Sequence, residues 1–141
     1  MQKVQFYFFD RKPTLTERTR LKLFIENLFK QEKKKLANLS YIFCSDEHLL
    51  GINKDFLKHD FYTDVITFDL SSAKAETEGE VYISVDRIKE NAKQLGVSFK
   101  EELHRIIFHG ALHLCGYKDK KNADILIMRQ KEEVYLKSYF S

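Results

Sequence analysis

Phe108-His109-Gly110-Ala111-Leu112-His113-Leu114-Cys115-Gly116-Tyr117-Lys118-Asp119 is the stretch on which the fold and the chemistry turn. An apolar run leads into it, and Gly116 offers the left-handed backbone that ends a helix. The pattern predicts a helix bearing two histidines four positions apart. At roughly 100° per residue, His109 and His113 differ by about 40° and share one face. Their side chains start roughly 5–6 Å apart, within reach of one metal ion. Cys115 lies almost opposite His113 and is not a natural ligand. Gly110 inside a helix costs about 1 kcal/mol relative to alanine, which suggests that another backbone or a substrate comes close there.

Beyond Gly116 the chain can fold back and offer a third ligand. No histidine follows His113, so a local ligand must be a carboxylate. Asp119 is the first choice and Asp124 the second. Two imidazoles and a carboxylate suit one zinc ion per chain and leave a position for water, which zinc brings to ionise near neutral pH. Through that water His109 and His113 would be catalytic. The same donor set suits ferrous iron or another divalent metal. The spacing matches that of helical zinc proteases, but the glutamate that serves them as base is Gly110 here. Lys118, Lys120 and Lys121 surround Asp119 and could draw in a phosphodiester backbone, the competing reading being a solvated loop. His59, in a polar loop, could approach a phosphate. His48 belongs to a surface helix, and His104 is about 140° around the helix from His109.

The 141 residues amount to one domain, residues 1–141, and 43% hydrophobic content with one proline excludes a disordered chain. The net charge of +3 does not by itself call for nucleic acid. No apolar run is long enough to span a membrane, and Met1-Gln2-Lys3-Val4 does not open a signal peptide, so a cytoplasmic protein is expected. Cys44 and Cys115 form no CxxC and are expected to be reduced and buried, with no disulfide partner.

Working outward, strands are expected at Val4–Phe9, Leu39–Cys44, Val65–Leu70 and Gly79–Val85. A first helix capped by Thr14 or Thr16 should run to Lys35, burying Leu21, Phe24, Ile25 and Leu28. A second begins at Ser45 or Asp46, a third spans Asp86 to Leu95, and a fourth starts at Ser98 with Glu101 completing a capping box. The fifth runs from Asn122 to Tyr139. Residues 73–79 are expected to form a mobile turn. Strands separated by helices favour parallel neighbours, and the third and fourth strands an antiparallel pair. The sum is an α/β domain, α+β in flavour, with a small four-stranded mixed sheet and about five helices.

His109-Gly110-x-Leu112-His113-Leu114-x-Gly116-Tyr117 resembles the signature of the YbeY family, bacterial rRNA maturation factors described as metal-dependent endoribonucleases. Ile52-Asn53, Asp60 and Thr63-Asp64-Val65-Ile66-Thr67-Phe68 resemble its second motif, and Gly79-Glu80-Val81-Tyr82-Ile83-Ser84 its Gly-Asp-Ile strand. The likeness covers about residues 50 to 130. It implies cleavage of single-stranded RNA in 16S rRNA maturation, with rRNA and the small ribosomal subunit as partners, and with Thr63 and Asp64 bordering the cleft. The family continues with Asp-His, whose histidine is the third zinc ligand; in gapless register that histidine falls on Asp119. A one-residue shift would instead leave the third ligand unassigned. The family's arginine and proline are replaced by Leu57 and Tyr62. Leucine cannot contact a phosphate, so a ribosome-associated assembly factor with a mainly structural metal is the alternative.

Overall fold

Four runs rich in aliphatic and aromatic residues take extended backbone, with two helices between them and three after the last. The computed structural model describes residues 2–72 and 76–141. Their order is β1 (Val4–Phe8), α1 (Arg18–Gln31), β2 (Leu36–Cys44), α2 (Asp46–Leu57), β3 (Val65–Asp69), β4 (Thr77–Ser84), α3 (Val85–Leu95), α4 (Phe99–Leu114) and α5 (Asn122–Phe140). Ser45, Ser84 and Ser98 start α2, α3 and α4. Each accepts from the backbone N–H three residues on, which the first helical turn leaves free.

The strands form one sheet in the order β1-β2-β4-β3. β1, β2 and β4 run parallel, and β3 pairs antiparallel with β4. The α/β class, the mixed four-stranded sheet and the five helices agree with the expectation. Alternation divides the side chains between two faces. Tyr41, Phe43, Val81 and Ile83 enter the main core with α1, α4 and α5, while Ile66, Phe68 and Tyr82 join a smaller cluster with Leu49 of α2. The buried Tyr41 hydroxyl donates to the Ile107 carbonyl at 2.7 Å and so ties the sheet to α4.

The first helix departs from expectation at both ends. It starts at Arg18, after Glu17 in left-handed backbone (φ 52°), with no side-chain cap from Thr14 or Thr16. Leu15 explains this: it is buried in the main core, which draws the chain inward before the helix begins. The helix stops at Gln31 rather than Lys35. Lys33 turns left-handed (φ 59°) and the Lys34 N–H reaches back to the Phe29 carbonyl at 2.8 Å, so a lysine closes a Schellman turn. The chain is thereby released for β2, which starts at Leu36, opposite Thr77. β4 accordingly begins at Thr77, two residues before the expected Gly79. Of the turn expected over residues 73–79, residues 73–75 lie outside the described residues and residues 77–79 are strand.

The close approach at Gly110 is to a side chain. A Cβ there would stand 2.7 Å from Val81 Cγ1, and one on Gly79 would stand 2.8 Å from Leu114 Cδ1. The two glycines let α4 settle onto β4, which fixes the height of the histidines above the sheet.

Candidate active site

Glu102, Arg105, His109 and His113 recur at spacings of three and four, and so form a polar stripe along a mostly buried helix. Glu132 of α5 faces that stripe. Arg105 donates through Nη1 to Glu132 Oε1 at 2.8 Å and through Nε to Glu102 Oε1 at 2.9 Å. His109 Nδ1 stands 2.6 Å from Glu132 Oε2. Both glutamate side chains are 1% exposed. Burial alone would raise the Glu132 pKa, but His109 and Arg105 outweigh it and hold the carboxyl below its ordinary range. An ionised carboxylate can only accept, so His109 Nδ1 carries a proton, and in the neutral imidazole the lone pair lies on Nε2.

His113 reaches the same tautomer by another route. Its Nδ1 lies 3.0 Å from the Tyr117 carbonyl, which can only accept. The carbonyl is there because α4 ends in a Schellman turn: Gly116 takes φ 108° and Tyr117 N–H returns to the Leu112 carbonyl at 3.2 Å. That turn also brings Asp119 back to the helix, with Oδ2 3.3 Å from His109 Nε2. Burial pulls the His109 pKa down, yet Glu132, Asp119 and Asp64 together shift it above the ordinary value. The Asp64 carboxyl moves upward, because burial outweighs the nearby His109 and Arg105 charges; its Oδ2 accepts from Asn91 at 3.1 Å.

His109 and Asp119 border two adjoining hollows. One, of about 290 Å³, adds Thr63, Asp64, Arg105 and Arg129. The other, of about 320 Å³, adds Leu57, His59, Phe61, His113 and Lys120. Thr63, Asp64, His59 and Lys120 thus share one cleft with the histidines. Lys118 and Lys121 are exposed and do not line it, and Lys121 immediately precedes α5. Asp124 sits in the first turn of α5, also away from the lining. His104 is a core residue, its Nδ1 2.7 Å from the Lys100 carbonyl and its ring stacked on Tyr139. His48 stacks on Phe9. Both cysteines are buried and free. Glu132, Arg105 and Phe61 were not anticipated. The polar stripe on α4 was the available signal for a partner on a neighbouring helix.

The donor set fits a divalent metal. Two ligand atoms roughly 2.0–2.1 Å from one tetrahedral ion are themselves about 3.3 Å apart, which is the His109–Asp119 separation. Each imidazole has its outer nitrogen occupied by an acceptor, as metal-binding histidines usually do. In the smaller hollow three carboxylates, Asp64, Asp119 and Glu132, stand beside Arg105 and Arg129. Among the described residues no three His, Cys, Asp or Glu side chains form a ready-made cluster. His109 and Asp119 stand together, and His113 lines the adjoining hollow with them.

Fold and site together define a small α/β protein with a helix-borne histidine pair at the edge of a mixed sheet. The family model described as Endoribonuclease YbeY matches residues 9–140, and the chain belongs to that family. It is 46% identical over 138 residues to the Endoribonuclease YbeY of Cytophaga hutchinsonii, covering 96% of each chain. To that of Flavobacterium psychrophilum it is 48% identical over 115 residues, covering 82% of this chain and 81% of the relative. The solution structure of TM1509 from Thermotoga maritima shares the fold, with a TM-score of 0.59 at 24% identity, over 97% of this chain and 89% of that one.

Proposed function

We propose that this chain is a zinc-dependent endoribonuclease that hydrolyses phosphodiester bonds in single-stranded RNA. Its substrate would be 16S rRNA during maturation of the small ribosomal subunit, in the cytoplasm. Membership of a family named for endoribonuclease activity supports the reaction class. The observation that carries the site is the pairing of His109 Nε2 with Asp119 Oδ2 at 3.3 Å, with His109 Nδ1 already bound by Glu132.

His109, His113 and Asp119 would hold the zinc. When bound, it would supply Lewis acidity toward a phosphoryl oxygen and lower the pKa of water. The protein's own part is orientation. Glu132 fixes the His109 ring and is fixed by Arg105, so the ligand arrives with little freedom to lose. Lys120 projects a cation into the cleft beside Asp119, where it would draw a phosphate in and offset charge in the transition state. Thr63 and Asp64 line the adjoining hollow with His109 and Asp119. No helix among the described residues is long and apolar enough to cross a membrane.

Leu57 favours a second reading, a ribosome-associated assembly factor with a mainly structural metal. It lines the cleft and is 40% exposed, and its aliphatic side chain gives a phosphate no grip. Purified protein incubated with single-stranded rRNA fragments separates the two. The nuclease reading expects cleavage that chelation and His113→Ala both abolish. Cleavage that survives either treatment contradicts it. Metal retained without cleavage, together with co-sedimentation with small subunits, favours the assembly factor.

A further inference from the structure

Between α2 and β3 the chain exposes three aromatic rings, His59, Phe61 and Tyr62, and the first two lie against each other. Phe61 is 56% exposed, and His59 stacks on it with centroids 5.1 Å apart and planes 21° from parallel. The pair is firmly held. Lys58 turns left-handed (φ 58°), which lets the His59 N–H return to the Asn53 carbonyl at 3.0 Å. Asn53, 2% exposed, donates from Nδ2 to the Phe61 carbonyl at 2.8 Å. Burial of these rings does not hold the loop in place, because a buried asparagine does. His59 and Phe61 line the same hollow as His109, His113 and Asp119, with Lys120 on its rim.

We propose that His59 and Phe61 form a stacking platform for an unpaired base of the RNA strand, seated beside the His109–Asp119 pair. The proposal rests on the RNA reading above and adds how the strand is gripped. Each part of a nucleotide finds its complement here. A base offers a π-face to the exposed ring, and stacking of this kind tolerates any base. Its phosphate offers charge to Lys120, and to Lys58, which is exposed next to His59. A paired base is already stacked within its duplex, so the platform selects single strands. His59 thereby acts through its ring face rather than as a phosphate contact, and the grip does not depend on a cation at Leu57.

The chain contains no tryptophan, so Phe61→Trp installs a single reporter on the platform. Full-length protein is titrated with 2′-O-methyl hexauridylate, with hexaadenylate, and with an abasic hexamer of the same charge. The base-bearing strands are expected to quench the reporter saturably, and the abasic strand to leave it bright. By anisotropy with labelled hexamers, Phe61→Ala and Phe61→Leu are both expected to weaken binding about 5- to 150-fold, and Phe61→Trp to retain it. Equal binding by the unaltered protein, Phe61→Ala and Phe61→Leu overturns the platform and leaves the RNA reading standing. Failure of the unaltered protein to bind any of the strands overturns the RNA reading and the platform with it.

Discussion

Replacing Glu132 by glutamine keeps an acceptor of the same size but removes the charge facing His109 Nδ1 at 2.6 Å. The amide can also turn its NH2 toward the ring, which destabilises the tautomer that leaves Nε2 open. Zinc affinity of Glu132→Gln is therefore expected to fall about 10- to 100-fold, measured by competition with a chromophoric chelator. Circular dichroism should match that of the unaltered protein, and unchanged affinity would show that Glu132 does not orient His109. This residue also marks how far the site could be read in advance. His109, His113 and Asp119 lie within 11 positions, and helix periodicity plus one glycine turn brings them together. Glu132 is 23 positions beyond His109 on a helix rich in charged residues. In sequence it resembles its exposed neighbour Glu133, and only the packing of α5 on α4 distinguishes the two. Phe61 was hidden for the opposite reason: an exposed ring in a polar loop leaves no periodic trace.

At the scale of elements, the contact between α4 and β4 controls the placement of the ligands. A Cβ on Gly110 would overlap Val81 Cγ1 at 2.7 Å, and a branched side chain fixed in a strand gives way poorly. Gly110→Ala gains about 1 kcal/mol of helix propensity and loses roughly 1–3 kcal/mol to overpacking. A net loss of stability in urea melts is expected. Val81→Ala removes the obstructing methyls, so in that background Gly110→Ala should become neutral or stabilising. Equal effects of Gly110→Ala in both backgrounds would contradict the contact. Most elements were legible because strand alternation, helix periodicity and the serine caps all point the same way. The ends of α1 were not. Burial of Leu15 overrides the threonine caps, and the demand for Leu36 to pair with Thr77 ends the helix at Gln31, with Lys33 in the closing turn.

Across the whole molecule, Glu32 links the end of α1 to the ligand loop and to α5. It accepts from the Tyr117 hydroxyl at 2.7 Å and from the Tyr135 hydroxyl, and Lys131 Nζ lies 3.3 Å away. Burial favours its neutral form, but these donors outweigh burial and depress its pKa below the ordinary 4.5. Asp10, bound by Ser45, and Asp86, bound by the Asp46 N–H and Arg11, are depressed below 3.8 in the same way, against the opposing pull of burial. A carboxyl with a lowered folded-state pKa stabilises the fold above its unfolded value and loses that stabilisation as pH falls through the folded value. Thermal stability should therefore decline as pH drops below about 4.5, and Glu32→Gln should flatten the decline. A profile in Glu32→Gln as steep as in the unaltered protein would contradict this role. Burial also pushes both thiols up to about 12, so neither Cys44 nor Cys115 should react with a thiol reagent at mildly basic pH until the chain unfolds.

Asp119 as the third metal ligand is the claim on which the chemistry depends, and native mass spectrometry of zinc-loaded protein tests it most directly. One zinc per chain is expected in the unaltered protein and in Asp119→His, and none in Asp119→Ala. Full zinc occupancy in Asp119→Ala would contradict the assignment and turn attention to Asp124.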